Sequence, residues 1–353
     1  MKEIYLDHAA TTYIDKRVLK KMLPYLGRFF GNPSSLYSIG RKTNSVIEKS
    51  RSEIAQILNA SPKEVIFTGS GTESDNLAIF GIARANKKNG NHIIVSKIEH
   101  KAVLEAAGKL EKEGFEITYL NVDSKGIVKL SEFKKSLKPE TILVSIMYAN
   151  NETGTVQPIS EISKIIKYFR RDGMFPVFHT DGCQAAGALD LNVDHLGIDA
   201  LTLNGSKIYG PKGIGCLYLS ENVATEPIIV GGGQENNRRA GTENTALIVG
   251  LAEALKLAEK NRPKENERLK KLRDYFIRNL LARIPNSQLN GDAVERLPNN
   301  VNISIKGVEG ESLLLMLDKE GICVSTGSAC TSRDLKPSHV LLAMGIRPEL
   351  ATQ

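Results

Sequence analysis

The chain has 353 residues, a length that suits roughly two domains. Its 41% hydrophobic and 25% charged residues are those of an ordinary folded chain, which excludes disorder, collagen and coiled coil as overall classes. The net charge of +7 is scattered, and the densest stretch, 259–273, mixes both signs, so nucleic-acid binding is not expected as the main activity.

At the N-terminus, MKEIYLDHAATT has an acidic third residue and no apolar core, unlike a secretory leader. No window reaches the ~18 consecutive apolar residues of a membrane span. Cys183, Cys216, Cys323 and Cys330 follow neither a disulfide framework nor a CxxC pattern. The expectation is a reduced, cytoplasmic protein without a membrane partner.

Short β-rich runs follow at 64–68, 92–96, 117–122, 141–148, 176–179, 200–203 and 215–219, with amphipathic segments between several of them. In 160–171, Ile162, Ile165, Ile166 and Phe169 share one helical face, and Ser160 is the expected N-cap. This alternation predicts βαβ units and a doubly wound, mainly parallel α/β sheet. Two helices, 243–260 and 264–283, are expected to break at Pro263. Beyond them, 301–305, 311–319 and 323–325 suggest a smaller α+β unit. The expected division is a large domain over 15–260 and a small one from 1–14 with 261–353.

Polar, Gly-rich strings follow the strands at their carboxyl ends, where open α/β sheets bind ligands. They read TGSGTESDN, IEH, YANNETG, HTDGCQ and LNGSKIYGPKGIG. In the first, Gly69, Gly71 and Thr72 precede a helix expected near Glu73, an arrangement suited to an anion such as phosphate. It is neither a Walker loop nor a GxGxxG fingerprint; an ordinary capped turn is the bland alternative. Lys207, past a buried strand and before a rigid Gly/Pro loop, suits Schiff-base chemistry, although a surface lysine is the commoner fate. Asp181 could pair with a pyridinium nitrogen, Gln184 lies beside it, and His100 and Asn151 end two further strands. Together these residues describe a pyridoxal 5′-phosphate pocket.

Cys330, in the small polar run VSTGSACTSRD, is expected to be a reactive thiol, because unreactive free cysteines are normally buried. Cys183, Cys216 and Cys323 are expected to be inert core residues. His179 and Cys183 are four apart, but no second pair has ligand spacing, so no intrinsic metal site is expected.

The sequence resembles the cysteine desulfurases, class V aminotransferase-related enzymes of the fold-type I pyridoxal-phosphate group. The resemblance runs from YLDHAATT and FGNPSS through TESDNLAI, EHKAVL, NNETG and KIYGPKGIG to RAGTEN and STGSACTS. It is similar to the iron–sulfur assembly and nitrogen-fixation desulfurases, in which a long loop bears the catalytic cysteine. It implies a seven-stranded, mainly parallel sheet and a homodimer. By resemblance, Lys207 binds the cofactor covalently, Asp181 pairs with the ring nitrogen, and Gln184 and Asn151 contact the ring hydroxyl. His100 stacks on the ring and shuttles protons, while Gly71, Thr72 and Thr242 of the partner subunit hold the phosphate.

The family's Ser-x-His before the lysine is here Asn204-Gly205-Ser206, so Asn204 and Ser206 are expected to donate to phosphate without an imidazole. Cys330 would take sulfur from L-cysteine as a persulfide, release alanine, and pass the sulfur to an iron–sulfur scaffold or a tRNA-thiolation acceptor. A transferred iron–sulfur cluster would then be in reach of Cys330. The family continues beyond the position of Gln353 into a strand and helix carrying a carboxylate-binding arginine, which has no match here, and slower turnover is the expectation. The competing readings are another lyase or aminotransferase of the same fold, and a non-catalytic dimer that binds sulfur-transfer partners.

Overall fold

The computed structural model describes residues 3–171, 173–327 and 337–351. Strands β2 (Val65–Thr68), β3 (His92–Ser96), β4 (Glu116–Leu120), β5 (Thr141–Ser145), β6 (Val177–Asp181), β7 (Ala200–Asn204) and β8 (Gly215–Leu219) form one seven-stranded sheet. Its spatial order is β2-β8-β7-β6-β5-β3-β4. All pairings are parallel except those of β8, which runs antiparallel to both β2 and β7. Strands β2 to β7 therefore point the same way and deliver their carboxyl ends to one edge.

The sheet is buried on both faces, and its side chains divide by the two-residue period of a strand. Val65, Phe67, Ile94, Cys216 and Tyr218 enter one hydrophobic core. Ile66, Ile93, Val95, Leu217 and Leu219 enter the core on the other face. Two two-stranded pairs lie outside this sheet. β1 (Ile4–Tyr5) runs parallel to β11 (Ile322–Cys323), and β9 (Ser287–Leu289) runs antiparallel to β10 (Ile303–Ile305).

Three local expectations shift. The helix expected from Ser160 begins one residue earlier, at Ile159, behind Pro158; Ser160 lies in its first turn and its hydroxyl donates to the His195 carbonyl at 3.4 Å. The helix expected near Glu73 begins at Gly71, because the Ser70 hydroxyl accepts the Glu73 N–H at 3.1 Å as its cap.

Pro263 does not break its helix either: one helix runs from Thr245 to Arg283. Its first part is anchored on helices Lys16–Leu26 and Ser38–Leu58 and buries Ile248, Leu251, Ala252, Ala254 and Leu255. An interior proline costs roughly 3 kcal/mol, and cooperative helix on both sides outweighs it here. Among the described residues, no helix is long and apolar enough to cross a membrane.

Candidate active site

A cavity of about 380 Å³ opens at the carboxyl edge of the sheet. It is lined by Gly71, Thr72, His100, Asn151, Asp181, Gln184, Asn204, Ser206 and Lys207, which come from five separate strand ends. A second cavity, about 630 Å³ and bordered by Arg51, Glu235 and Glu243, contains none of the expected site residues. The smaller one holds the convergent polar chemistry that marks a ligand site.

Each wall has a local cause. After β2 the chain turns at Gly69, whose N–H donates to Glu73 Oε2 at 2.8 Å, and enters the helix at Gly71. A Cβ on Gly71 would lie 2.8 Å from Cys183 Sγ and 3.0 Å from Asn204 Nδ2, so only glycine lets this helix start approach the next two strand ends. After β3, the His100 Nδ1 accepts the Ala102 N–H at 3.1 Å and caps helix Lys101–Lys112. That contact places the proton of the neutral ring on Nε2.

After β5, Asn150 is buried. Its Oδ1 accepts from the N–H groups of Glu152 and Thr153, both at 2.9 Å, and its Nδ2 donates to the Ile98 carbonyl at 3.0 Å. The first asparagine of NNETG thus builds the turn that presents the second, Asn151, to the cavity. Asp181 ends β6, and its Oδ1 accepts the Cys183 N–H at 2.9 Å.

The N-terminal stretch crosses this edge. Gln184 Nε2 donates to the Ala9 carbonyl at 3.0 Å, Lys207 Nζ donates to the Ala10 carbonyl, and the Thr12 N–H donates to the Ser206 carbonyl at 2.8 Å. Lys207 is half-buried, and Lys212 turns to the Thr12 carbonyl at 3.1 Å.

Four groups escaped the sequence reading. Asp75 lines the cavity, is 1% exposed, and its Oδ1 has no hydrogen-bond partner among the described residues; it lies 3.7 Å from His179 Nε2. Burial, reinforced by the Asp181 carboxylate, holds Asp75 well above the usual carboxylate range. Burial pushes Glu99 up to about 8, and its Oε2 also has no hydrogen-bond partner among the described residues. His179 is pushed down to about 4 by burial and sits between Ser145 Oγ at 2.9 Å and Thr202 Oγ1 at 3.0 Å.

Cys183, expected as inert core, is buried but lines the cavity, and burial followed by Asp181 holds its thiol well above the ordinary range. Spacing gives one signal for Asp75, its place on the helix, though not its burial. It lies four residues past Gly71, on the helix face that meets the sheet edge.

Two further expectations fall elsewhere. Thr242 is exposed and does not line this cavity. Cys330 lies outside the described residues. Cys216 is fully buried, whereas Cys323 is only half-buried at the end of the small β1–β11 pair, with its Sγ 3.3 Å from Glu3 Oε1.

Sheet order, helix placement and a lysine–aspartate–histidine cavity at the strand ends are features of the fold-type I pyridoxal-phosphate enzymes. The chain belongs to the class V aminotransferase family, whose profile, "Aminotransferase class-V", matches residues 4–350. It is 53% identical over 350 residues to a protein of Dictyoglomus turgidum named cysteine desulfurase IscS, covering 99% of this chain and 88% of that one. It is 52% identical over 352 residues to the protein of the same name from Clostridium botulinum strain Hall, covering 99% and 87%. Among solved structures, a NifS-like protein superposes with a TM-score of 0.93 at 36% identity, covering 99% of this chain and 92% of that one. Another, SspA in complex with cysteine, gives 0.83 at 35% identity, with 99% and 96% covered.

Proposed function

We propose that this chain is a pyridoxal-phosphate-dependent cysteine desulfurase that takes sulfur from L-cysteine, releases alanine and delivers the sulfur to an acceptor protein. One observation carries the reading. Lys207, Asp181 and His100 reach a single cavity in a chain half identical to proteins named for that reaction.

The residues present fit the cofactor. The cavity offers an amine at Lys207 and a carboxylate at Asp181. At Gly71 the start of a helix faces the cavity beside Asn204 and Ser206, an arrangement suited to an anion. Lys207 would hold the cofactor through its amine and Asp181 its ring nitrogen. Asn151 and Gln184 would hold the ring hydroxyl, while Gly71, Thr72, Asn204 and Ser206 hold the phosphate. The exposure of Thr242 accords with a role in the second copy of a homodimer, where Thr242 of the partner subunit would complete the phosphate site. When bound, the cofactor supplies an electron sink for bond changes at the cysteine α-carbon.

His100 is set to move a proton at Nε2, since its Nδ1 is committed to the Ala102 N–H. The Cys330 thiolate would form a bond to the substrate sulfur as the carbon–sulfur bond breaks. The electron pair returns to carbon, which takes a proton and leaves as alanine. An iron–sulfur scaffold or a tRNA-thiolation protein would receive the sulfur. The division into 15–260 and 1–14 with 261–353 belongs to this proposal, supported by the position of β1, β9, β10 and β11 outside the main sheet.

The test is to load the purified chain with pyridoxal phosphate and measure alanine and sulfide from L-cysteine under a thiol reductant. Stoichiometric alanine and sulfide are expected. Cys330→Ala should keep the bound cofactor and its spectral response to cysteine while losing sulfide. Full sulfide production by that variant would overturn the assignment of Cys330. Absence of both products from a fully loaded parent would overturn the activity itself.

A further inference from the structure

Strands β5, β6 and β7 carry Leu143, Val177 and Ala200 into one apolar core, and two residues further along the same face stand Ser145, His179 and Thr202. All three are fully buried, and they are bonded to one another. Ser145 Oγ lies 2.9 Å from His179 Nδ1, and Thr202 Oγ1 lies 3.0 Å from His179 Nε2. Polar groups sunk in an apolar layer are costly unless they are joined in such a row. The row ends at the cavity-lining Asp75, whose Oδ1 is 3.7 Å from His179 Nε2.

Asp75 and Asp181 line the same cavity in unequal surroundings. Asp181 lies opposite Thr202 in the parallel register, and its Oδ1 takes the Cys183 N–H at 2.9 Å. Asp75 Oδ1 has no hydrogen-bond partner among the described residues to support a charge. The groups facing Asp75 are His179 and Asp181 from β6, Thr202 from β7, Cys183 from the turn after β6 and Glu99 from the loop after β3. Burial first and the Asp181 carboxylate second hold the Asp75 carboxyl above its usual range, and the Thr202 hydroxyl offsets them only in part. Two carboxyls so placed divide the roles, one keeping a proton and the other the charge.

We propose that Asp75 is a positioning residue for Asp181: an uncharged acid fixed on the Ser145–His179–Thr202 row, it leaves to Asp181 the negative charge that the cofactor's ring nitrogen would meet. This rests on the pyridoxal-phosphate reading. A second anion on this floor would compete with Asp181 for the ring's charge. An apolar residue would leave Thr202 and His179 without their polar neighbour beside Asp181. An acid that keeps its proton does neither.

The experiment uses the full chain loaded with pyridoxal phosphate and reads the cofactor's dissociation constant and the pH midpoint of its visible absorbance. Positive charge on the ring nitrogen opposes a proton on the linkage to Lys207, so a weaker hold by Asp181 raises that midpoint. Asp75→Asn, an uncharged near-isostere, should keep the constant within about twofold and the midpoint within about 0.3 pH unit. Asp75→Leu should weaken binding about tenfold and raise the midpoint by about one pH unit. An Asn variant displaced as far as the Leu variant overturns the proposal, because the carboxyl then acts as an anion. Parental values in the Leu variant overturn it too.

Should the Leu variant not fold, urea unfolding of the parent and the Asn variant at about pH 5 and 8 decides. A carboxyl ionised in the unfolded chain and protonated in the fold loses stability as pH rises, so the Asn variant should gain on the parent across that window. An unchanged difference overturns the proposal. A parent that retains no cofactor after dialysis refutes the pyridoxal-phosphate reading and the proposal with it, whereas the variant outcomes strike the proposal alone.

Discussion

The carboxyl edge of the seven-stranded sheet and the small pairs outside it are built on different principles. At the sheet edge, Gly71, Thr72, His100, Asn151, Asp181, Gln184, Asn204, Ser206 and Lys207 end or follow buried strands, and three of the supporting groups, His179, Asp75 and Glu99, are almost wholly inaccessible. In the periphery, β1–β11 and β9–β10 have two strands each, and helix Gly310–Lys319 leaves Leu315 and Met316 more than 60% exposed. The residues that would hold a cofactor are thus fixed by dense packing. Of the described residues on either side of Cys330, Ser325 donates to Asp7, Ser338 to Glu152 and His339 to the Glu99 carbonyl, and Val340 and Leu341 enter the main core. A site that must hold one molecule and hand over an atom from another gains from having both kinds of support.

The sharpest way to break this contrast is at its centre. Lys207→Ala should abolish retention of pyridoxal phosphate after dialysis, read from the visible absorbance of the bound cofactor. Lys212→Ala, which removes a second cavity-lining amine bonded to the Thr12 carbonyl, should retain it.

Gly71→Ala should cost about 1–3 kcal/mol in urea unfolding and weaken cofactor binding, because the added methyl meets Cys183 Sγ and Asn204 Nδ2. Adding Cys183→Ala should restore part of both. Simple additivity of the two changes would show that the sulfur is not what excludes the methyl.

Glu99→Gln tests the buried charge behind His100. Because burial raises the folded-state value to about 8 from 4.5, the parent should lose stability as pH climbs from about 5 to 8; the unfolded carboxyl has by then released a proton that the folded one keeps. The glutamine variant has no such group, so its stability relative to the parent should rise over that window by a few kcal/mol. Parallel unfolding curves for the two proteins at pH 5 and pH 8 would show that Glu99 is ionised in the fold. The smallest effect belongs to the periphery: Leu315→Ser and Met316→Ser should each change stability by no more than roughly 0.5 kcal/mol in the same assay.

Much of the sheet was legible in sequence because its parallel strands are continuous apolar runs and its ligand loops interrupt them with Gly, Asn and Asp at regular intervals. The cavity-lining positions Lys207, Asp181, His100, Asn151 and Gln184 were readable for the same reason, each coming off the end of such a run. What escaped depended on three-dimensional neighbours. Nothing local to Asp75 or Glu99 announces that either is sealed from water. Cys183 reads as core because burial and cavity lining look alike in one dimension. Pro263 reads as a helix end because the contacts that anchor the helix on either side of it come from distant chain, residues 16–58 for its first part and the Arg296 and Leu297 carbonyls for Arg273.

The parallel pairing of Ile4–Tyr5 with Ile322–Cys323 has a consequence for the order of events during synthesis. Residues 4–12 are made well before their partners: Ser206, Lys207 and Tyr209 arrive some 195 residues later, and β11 more than 300 residues later. Ile4 and Tyr5 must therefore wait far longer for their partners than the residues a few positions after them. The wall that residues 9–12 add to the cavity needs partners only as far as Tyr209, so it can form before the helix Thr245–Arg283 exists, whereas Ile4 and Tyr5 must wait for Ile322 and Cys323.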